Sequence, residues 1–200
     1  VNSQALKPIE VVYAGKISCA KGLKSLIRVC SLLSANYKLE LKFVGSGSGK
    51  EAESIKKLAR AADCLIEMPG AVPQTQLGEI FRKSDIFCLP SFFEGLPLVL
   101  IEALASGLRV VTTDLEGVKD WLGAAINKTG AVEYVELPDL KESRVPVESE
   151  LPDFESRLKE GLENQINRLR NNKYMDDPQF RKAVENWSWA GVFEKMEDYF

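Results

Sequence analysis

The sequence predicts a doubly wound α/β fold: a Rossmann-like parallel sheet of about six strands, helices on both faces, and further helices at the carboxyl end. Short β-rich apolar runs alternate with amphipathic helical patterns over the first two-thirds of the chain. The runs are largely apolar, as strands covered on both faces require. Four of them stop at Gly or Pro (Gly15, Gly45, Pro69-Gly70 and Pro90), where a strand hands over to its crossover helix.

In order, Glu10–Ala14 reads as a buried strand, and Lys21–Ala35 as a helix with Leu23, Leu26, Ile27, Cys30 and Leu33 on one face. Leu39–Val44 is the next strand and 49–62 a charged helix. Cys64–Met68 is a strand, Gln74–Lys83 a helix, Asp85–Leu89 a strand, Pro97–Ser106 a helix, Leu108–Thr113 a strand, and Gly130–Val135 the sixth. Residues 137–153 carry three prolines among acidic residues and read as a surface excursion. Phe154–Arg170 is helical, with Phe154, Leu158, Leu162, Ile166 and Leu169 in one stripe. Phe180–Val184 is a short helix, and Trp189–Phe200 an aromatic one that packs on the core or docks onto an absent domain. Right-handed crossovers wind such a chain into one domain over 1–200. Ligands then bind beyond the carboxyl ends of the strands, at loops 15–22, 45–49, 69–73, 90–97 and 114–120.

Composition excludes several function classes. The chain has 200 residues, 45% hydrophobic and 28% charged, with a net charge of -3. Residues 1–100 carry 13 Lys+Arg against 9 Asp+Glu, and residues 101–200 carry 13 against 20, so no dense basic face for nucleic acid is expected. The longest apolar runs are too short to span a bilayer, and no leader sequence is evident. The start at Val1, without methionine, points to a piece of a longer protein. Four scattered cysteines and no histidine leave no zinc-ligand pattern and no Ser-His-Asp or Cys-His nucleophile. Acid–base work would fall to a carboxylate, a lysine, a tyrosine or a partner domain.

Three loops carry chemistry. Gly15-Lys16-Ile17-Ser18-Cys19-Ala20-Lys21-Gly22 sets two lysines between a strand end and a helix start, where free N–H groups already favour an anion. Two solvated surface lysines fit the residues equally well; placement on the ligand edge favours the anion. Gly45-Ser46-Gly47-Ser48-Gly49-Lys50 imitates a phosphate-binding P-loop but is one residue short, and Glu51 stands where Ser or Thr should hold magnesium. What remains is glycine backbone that a ligand can approach closely.

The third loop runs from Pro90-Ser91-Phe92-Phe93-Glu94-Gly95-Leu96-Pro97 into the helix containing Glu102. A carboxylate inside an apolar helix must be hydrogen-bonded or paired. A ribose diol would serve; so would a backbone N–H or a lysine. With 20 glutamates in the chain, about two pairs eight apart arise by chance. Three occur, Glu94/Glu102, Glu142/Glu150 and Glu155/Glu163, and only the first lies where a strand end meets a helix start.

These stretches, together with Met68-Pro69-Gly70-Ala71-Val72 and Glu102-Ala103-Leu104-Ala105-Ser106-Gly107, resemble retaining glycosyltransferases of family 4. The likeness covers about residues 10–120, and Trp187-Ser188-Trp189 with Tyr199-Phe200 is similar to that family's terminal helix. It implies the carboxyl-terminal, donor-binding half of a GT-B enzyme that moves a hexose from a nucleoside-diphosphate sugar to an acceptor hydroxyl.

By that resemblance, Lys16 and Lys21 neutralise the departing diphosphate and Glu94 accepts hydrogen bonds from the transferred sugar. Backbone N–H groups of Gly95, Leu96, Leu98 and Val99 hold sugar and distal phosphate. Glu102 binds the ribose diol, Val72 meets the base, and Gly15, Gly45 and Gly47 let the nucleotide lie close. No metal and no cofactor is implied beyond the donor as substrate. The implied partners are an absent amino-terminal half and an acceptor glycan or glycolipid in bacterial polysaccharide synthesis. The implied location is cytoplasmic, or peripheral at the inner membrane face through the absent half.

Three positions depart from the family pattern: Lys16 where Arg is frequent, Pro97 where Gly is common, and Asp120 where Glu is usual. Other readings stay open from the residues: a GT-B epimerase or phosphorylase, or a non-catalytic module binding nucleotide sugar or a partner. A dinucleotide oxidoreductase is disfavoured, because the first strand leads to Gly15-Lys16 rather than G-x-G-x-x-G.

Overall fold

The computed structural model describes residues 7–141, 145–169 and 173–186. Six parallel strands form one sheet in the order β3-β2-β1-β4-β5-β6. They are β1 (Ile9–Ala14), β2 (Leu39–Val44), β3 (Leu65–Gly70), β4 (Ile86–Leu89), β5 (Arg109–Thr113) and β6 (Val132–Val135). Between them run α1 (Leu23–Leu33), α2 (Gly49–Arg60), α3 (Gln74–Lys83), α4 (Val99–Ala105), and the short α5 (Val118–Leu122) and α6 (Ala124–Asn127). The order reverses between β1 and β4, so the chain leaves these two neighbours toward opposite faces and opens a crevice at their carboxyl ends.

The expected doubly wound sheet is therefore present. Its centre, β4 and β5, is buried at every position, whereas edge strand β3 alternates between exposed and half-buried residues. β2 alternates as well: Leu39, Leu41 and Phe43 are buried while Glu40 and Lys42, on its opposite face, are half-buried.

Most helix ends shift by one to three residues from the sequence expectation, while Gln74–Lys83 keeps both of its ends. Before α1, Cys19–Lys21 form a turn of 3-10 helix and Gly22 takes a left-handed φ of 64°, so the helix expected from Lys21 starts at Leu23. The helix starting near Pro97 begins instead at Val99, because the Leu98 N–H donates to the Leu96 carbonyl at 2.9 Å and closes a tighter turn first.

A small antiparallel hairpin, β7 (Leu140–Lys141) with β8 (Val145–Pro146), occupies the acidic excursion. The long α7 (Leu151–Arg168) follows and buries Phe154, Leu158, Leu162 and Ile166 against α1, β5 and β6. Arg28 and Ser25 of α1 both reach Glu155 Oε1, at 2.7 and 2.9 Å, across the α1–α7 seam. Finally α8 (Pro178–Glu185) packs on α4 and α6, its amino end capped by Asp177. The aromatic helix expected over Trp189–Phe200 lies outside the described residues. No helix among the described residues is long and apolar enough to cross a membrane.

Burial also sets how the fold responds to alkali. It pushes the Tyr174 phenol up to about 12, against the opposing pull of the Arg109 charge. Tyr13 and Tyr134 are raised by burial as well, with nearby carboxylates adding to it. A phenol whose folded pKa lies above its unfolded value near 10 gives stability that is complete below that value and lost as pH rises toward the folded one. Tyr174 alone should remove about 2 to 3 kcal/mol by this route. Urea midpoints should hold level up to about pH 9.5 and fall steadily to pH 11.5; a level midpoint across that range would contradict the linkage.

Candidate functional site

The crevice at the carboxyl edge is a cavity of about 710 Å³. Its walls come from four segments: Ala14–Lys16 after β1, Val44–Ser48 after β2, Ala71, Val72 and Leu77 around the start of α3, and Val99 with Glu102 on α4. Of the residues singled out in the sequence, Gly15, Lys16, Gly45, Gly47, Val72, Val99 and Glu102 meet here. Loop 114–120, expected among the ligand loops, contributes nothing to this lining.

The glycines are required by close approach of backbone. A Cβ on Gly45 would lie 1.8 Å from the Gly15 carbonyl oxygen, and one on Gly47 would lie 2.2 Å from that of Ile17. These contacts let the loops after β1 and β2 fold directly onto each other, stitched by Gly15 N–H to Val44 O and Ile17 N–H to Ser46 O, both 2.9 Å.

Glu102 is half-buried on the cavity wall, and among the described residues its carboxylate has no hydrogen-bond or ionic partner. Neither the backbone N–H nor the lysine that could have satisfied it does so. Lys16, exposed at the rim, likewise has no carboxylate within salt-bridge reach among the described residues. One cavity thus presents an unpaired cation and an unpaired anion together, an arrangement that suits a ligand bearing both negative charge and hydroxyl groups.

Lys21, Glu94, Gly95, Leu96 and Leu98 do not line this cavity. They form an adjoining cluster, in which Lys21 Nζ sits 2.7 Å from Glu94 Oε2 and 3.3 Å from the Phe93 carbonyl. The other oxygen of Glu94 accepts the Ser91 hydroxyl at 2.7 Å. Gly95, Leu96 and Val99 keep N–H groups without a partner among the described residues, whereas that of Leu98 is occupied by its turn.

Tyr13 joins the two clusters. Its hydroxyl donates to the Lys16 carbonyl at 2.8 Å, and the negative charge of Glu94, after burial, helps raise its pKa. The loops after β1 and β4 are further knitted by Phe92 N–H to Ala20 O at 2.9 Å. Gly22 allows this closeness, since a Cβ there would meet the Pro90 carbonyl oxygen at 2.0 Å.

Sequence reasoning missed four contributors. Ser91 fixes Glu94, and Thr113 fixes Ser91 by donating to its carbonyl at 2.6 Å. Tyr13 supports the Lys16 backbone. Glu51, which spoils the P-loop pattern, accepts the Cys19 N–H at 3.2 Å and ties the amino end of α2 to the lysine loop. Only Ser91 left a readable trace, a hydroxyl three residues before an acid at a strand end.

Comparison with known proteins gives the family and agrees with the fold. The family described as "Glycosyl transferases group 1" matches residues 2–139. The chain is 39% identical over 112 residues to an uncharacterized glycosyltransferase of Haemophilus influenzae, covering 54% of this chain and 31% of that protein. It is 34% identical over 112 residues to TuaC of Bacillus subtilis, provisionally named a teichuronic acid biosynthesis glycosyltransferase, covering 56% of this chain and 26% of that one. It therefore spans less than a third of the length of these curated relatives. Among solved structures, the C-terminal domain of a glycosyl transferase group 1 family protein (LpcC) from Francisella tularensis superposes with a TM-score of 0.66 at 18% identity, covering 89% of this chain and 85% of that one.

Proposed function

The chain belongs to the group 1 glycosyl transferases, and from that premise we propose that it is the donor-binding half of a retaining hexosyltransferase. The observation that carries the reading is the cavity in which Lys16 and Glu102, both without a partner among the described residues, face one space beside close-packed glycine backbone. A nucleoside-diphosphate sugar suits each wall: diphosphate at Lys16, ribose diol at Glu102, base against Val72 and Leu77.

In the proposed transfer the bond from the anomeric carbon to the phosphate oxygen breaks with its electron pair on the phosphate. An acceptor hydroxyl oxygen then bonds to that carbon, and its proton passes to the departing diphosphate. Fixed cations and free amides stabilise the charge that builds on the leaving oxygen. Lys16 supplies a single-point contact where Arg would supply a fork. Val99, Gly95 and Leu96 offer the amides and Glu94 the acceptor for sugar hydroxyls. An acceptor-binding half and a glycan or glycolipid acceptor complete the proposal; the Bacillus subtilis relative is named for teichuronic acid biosynthesis.

Calorimetry of the chain with UDP-, GDP- and ADP-sugars tests it. One of them should bind, and Lys16→Ala or Glu102→Ala should each weaken it by at least about tenfold, because each removes a charge-assisted contact. Lys50→Ala, outside the cavity lining, should leave the affinity unchanged. No binding by any of the three sugar nucleotides at millimolar concentration would defeat the reading.

A further inference from the structure

We propose that Glu94 makes the second cation of the site conditional: without a sugar it holds Lys21 in an ion pair, and the hydroxyls of a donor sugar release that ammonium to the diphosphate. The inference rests on the donor-binding reading and adds to it a means of telling donor from spent nucleotide.

Its starting point is an inequality between two lysines of one loop. Lys16 is exposed and has no carboxylate within salt-bridge reach among the described residues. Lys21 has its side chain only 20% exposed and is held by two oxygens, Glu94 Oε2 at 2.7 Å and Phe93 O at 3.3 Å. A bare nucleoside diphosphate therefore meets one available ammonium, not two.

The holding carboxylate is itself fixed. Glu94 is 17% exposed, and its Oε1 takes the hydroxyl of Ser91, a fully buried residue whose carbonyl is anchored by Thr113 at 2.6 Å. It cannot swing away from Lys21 without abandoning that bond. What can displace the ammonium is a ligand that brings hydroxyl donors to the same oxygen and, in the same molecule, a diphosphate that offers Lys21 another anion. An ionised carboxylate accepts at about four lone-pair sites, and a vicinal diol brings two O–H groups to it.

Once the sugar occupies Oε2, Lys21 turns to the diphosphate that the same ligand carries. A donor is then gripped by two cations and the product diphosphate by one, since the carboxylate recaptures Lys21 when the sugar has left. The positive charge arrives where the leaving oxygen becomes negative and withdraws before product release.

Titrations of UDP against UDP-glucose, GDP against GDP-mannose and ADP against ADP-glucose test this on the purified chain, using the pair that binds. Glu94→Gln should tighten the diphosphate alone by about tenfold, equivalent to about 1.4 kcal/mol, because an amide no longer holds the ammonium. Lys21→Met should leave the bare diphosphate within about twofold of wild type and weaken the sugar-bearing form by about tenfold. Ser91→Ala, which loosens Glu94 and leaves both charges, should tighten the diphosphate by about two- to threefold. If Lys21→Met weakens both ligands equally, or Glu94→Gln binds the diphosphate no more tightly than wild type, the latch is overturned. Failure of the unaltered chain to bind any of the six nucleotides overturns the donor-site reading itself.

Discussion

Gly45→Ala should abolish nucleotide binding and cost the fold more than about 3 kcal/mol, among the largest effects expected of a single methyl group here. Two causes act together. The added carbon would lie 1.8 Å from the Gly15 carbonyl oxygen, and the backbone holds a φ of 141°, which side chains on L-residues rarely adopt. Neither neighbour can yield cheaply, because Gly15 N–H is bonded to Val44 O and Gly45 N–H to Gly70 O, at 2.9 and 2.8 Å. Relief would have to part the ends of β1 and β2, which form the floor of the cavity. A melting temperature lowered by about 6–12 °C, with no detectable heat of nucleotide binding, is the expected result. Gly49→Ala is the control, since a Cβ there meets nothing within 4 Å although its φ is also positive. If Gly45→Ala were no worse than Gly49→Ala, the close approach would not be what shapes the site.

Arg109→Ala should produce a loss of similar size by a different route and spare the ligand site. Arg109 opens β5, at the opposite edge of the sheet from the cavity, and is 3% exposed. Its guanidinium donates to Gly130 O at 3.2 Å and Gln165 Oε1 at 3.1 Å, and lies 5.1 Å over the Tyr174 ring. Gln165, equally buried, donates in turn to the carbonyls of Val110, Gly130 and Ala131. Burial draws the Arg109 pKa below its usual value, so the charge is tolerated only because these partners surround it. Removing the guanidinium strands buried acceptors and leaves a void under Tyr174, at a cost of about 3–5 kcal/mol. Urea unfolding should show it, whereas Arg109→Met, which fills the space with apolar carbon, should recover part of the loss. Below the lowered melting point the affinity for nucleotide should equal that of wild type. A fall in affinity there would mean that the two edges of the sheet are coupled.

Much of the fold was legible because its signals are local. Leu39–Val44 and Gln74–Lys83 begin and end where their patterns and their flanking Gly, Pro and Ser residues place them. The ends of α4 were not legible, since the turn at Leu96–Leu98 that delays it depends on a backbone contact rather than on Pro97. The three glutamate pairs show the same limit at the site. Spacing could not separate them. In the fold Glu155 is engaged by Arg28 and Glu163 by Lys159, both ordinary ion pairs, while Glu102 alone of the described members is left facing a cavity.

The sequence by itself determined the alternation of strand and helix, the carboxyl edge as the one where the cavity opens, and the residue types brought there. Those follow from periodicity, chain chirality and glycine placement, which act over a few residues at a time. Only the tertiary structure decided which charges are available. That Lys16 stays open and Lys21 is taken by Glu94, 73 positions away in the chain, depends on β1 and β4 lying side by side. Coulombic partners are chosen by distance in space, and a linear pattern carries no measure of it.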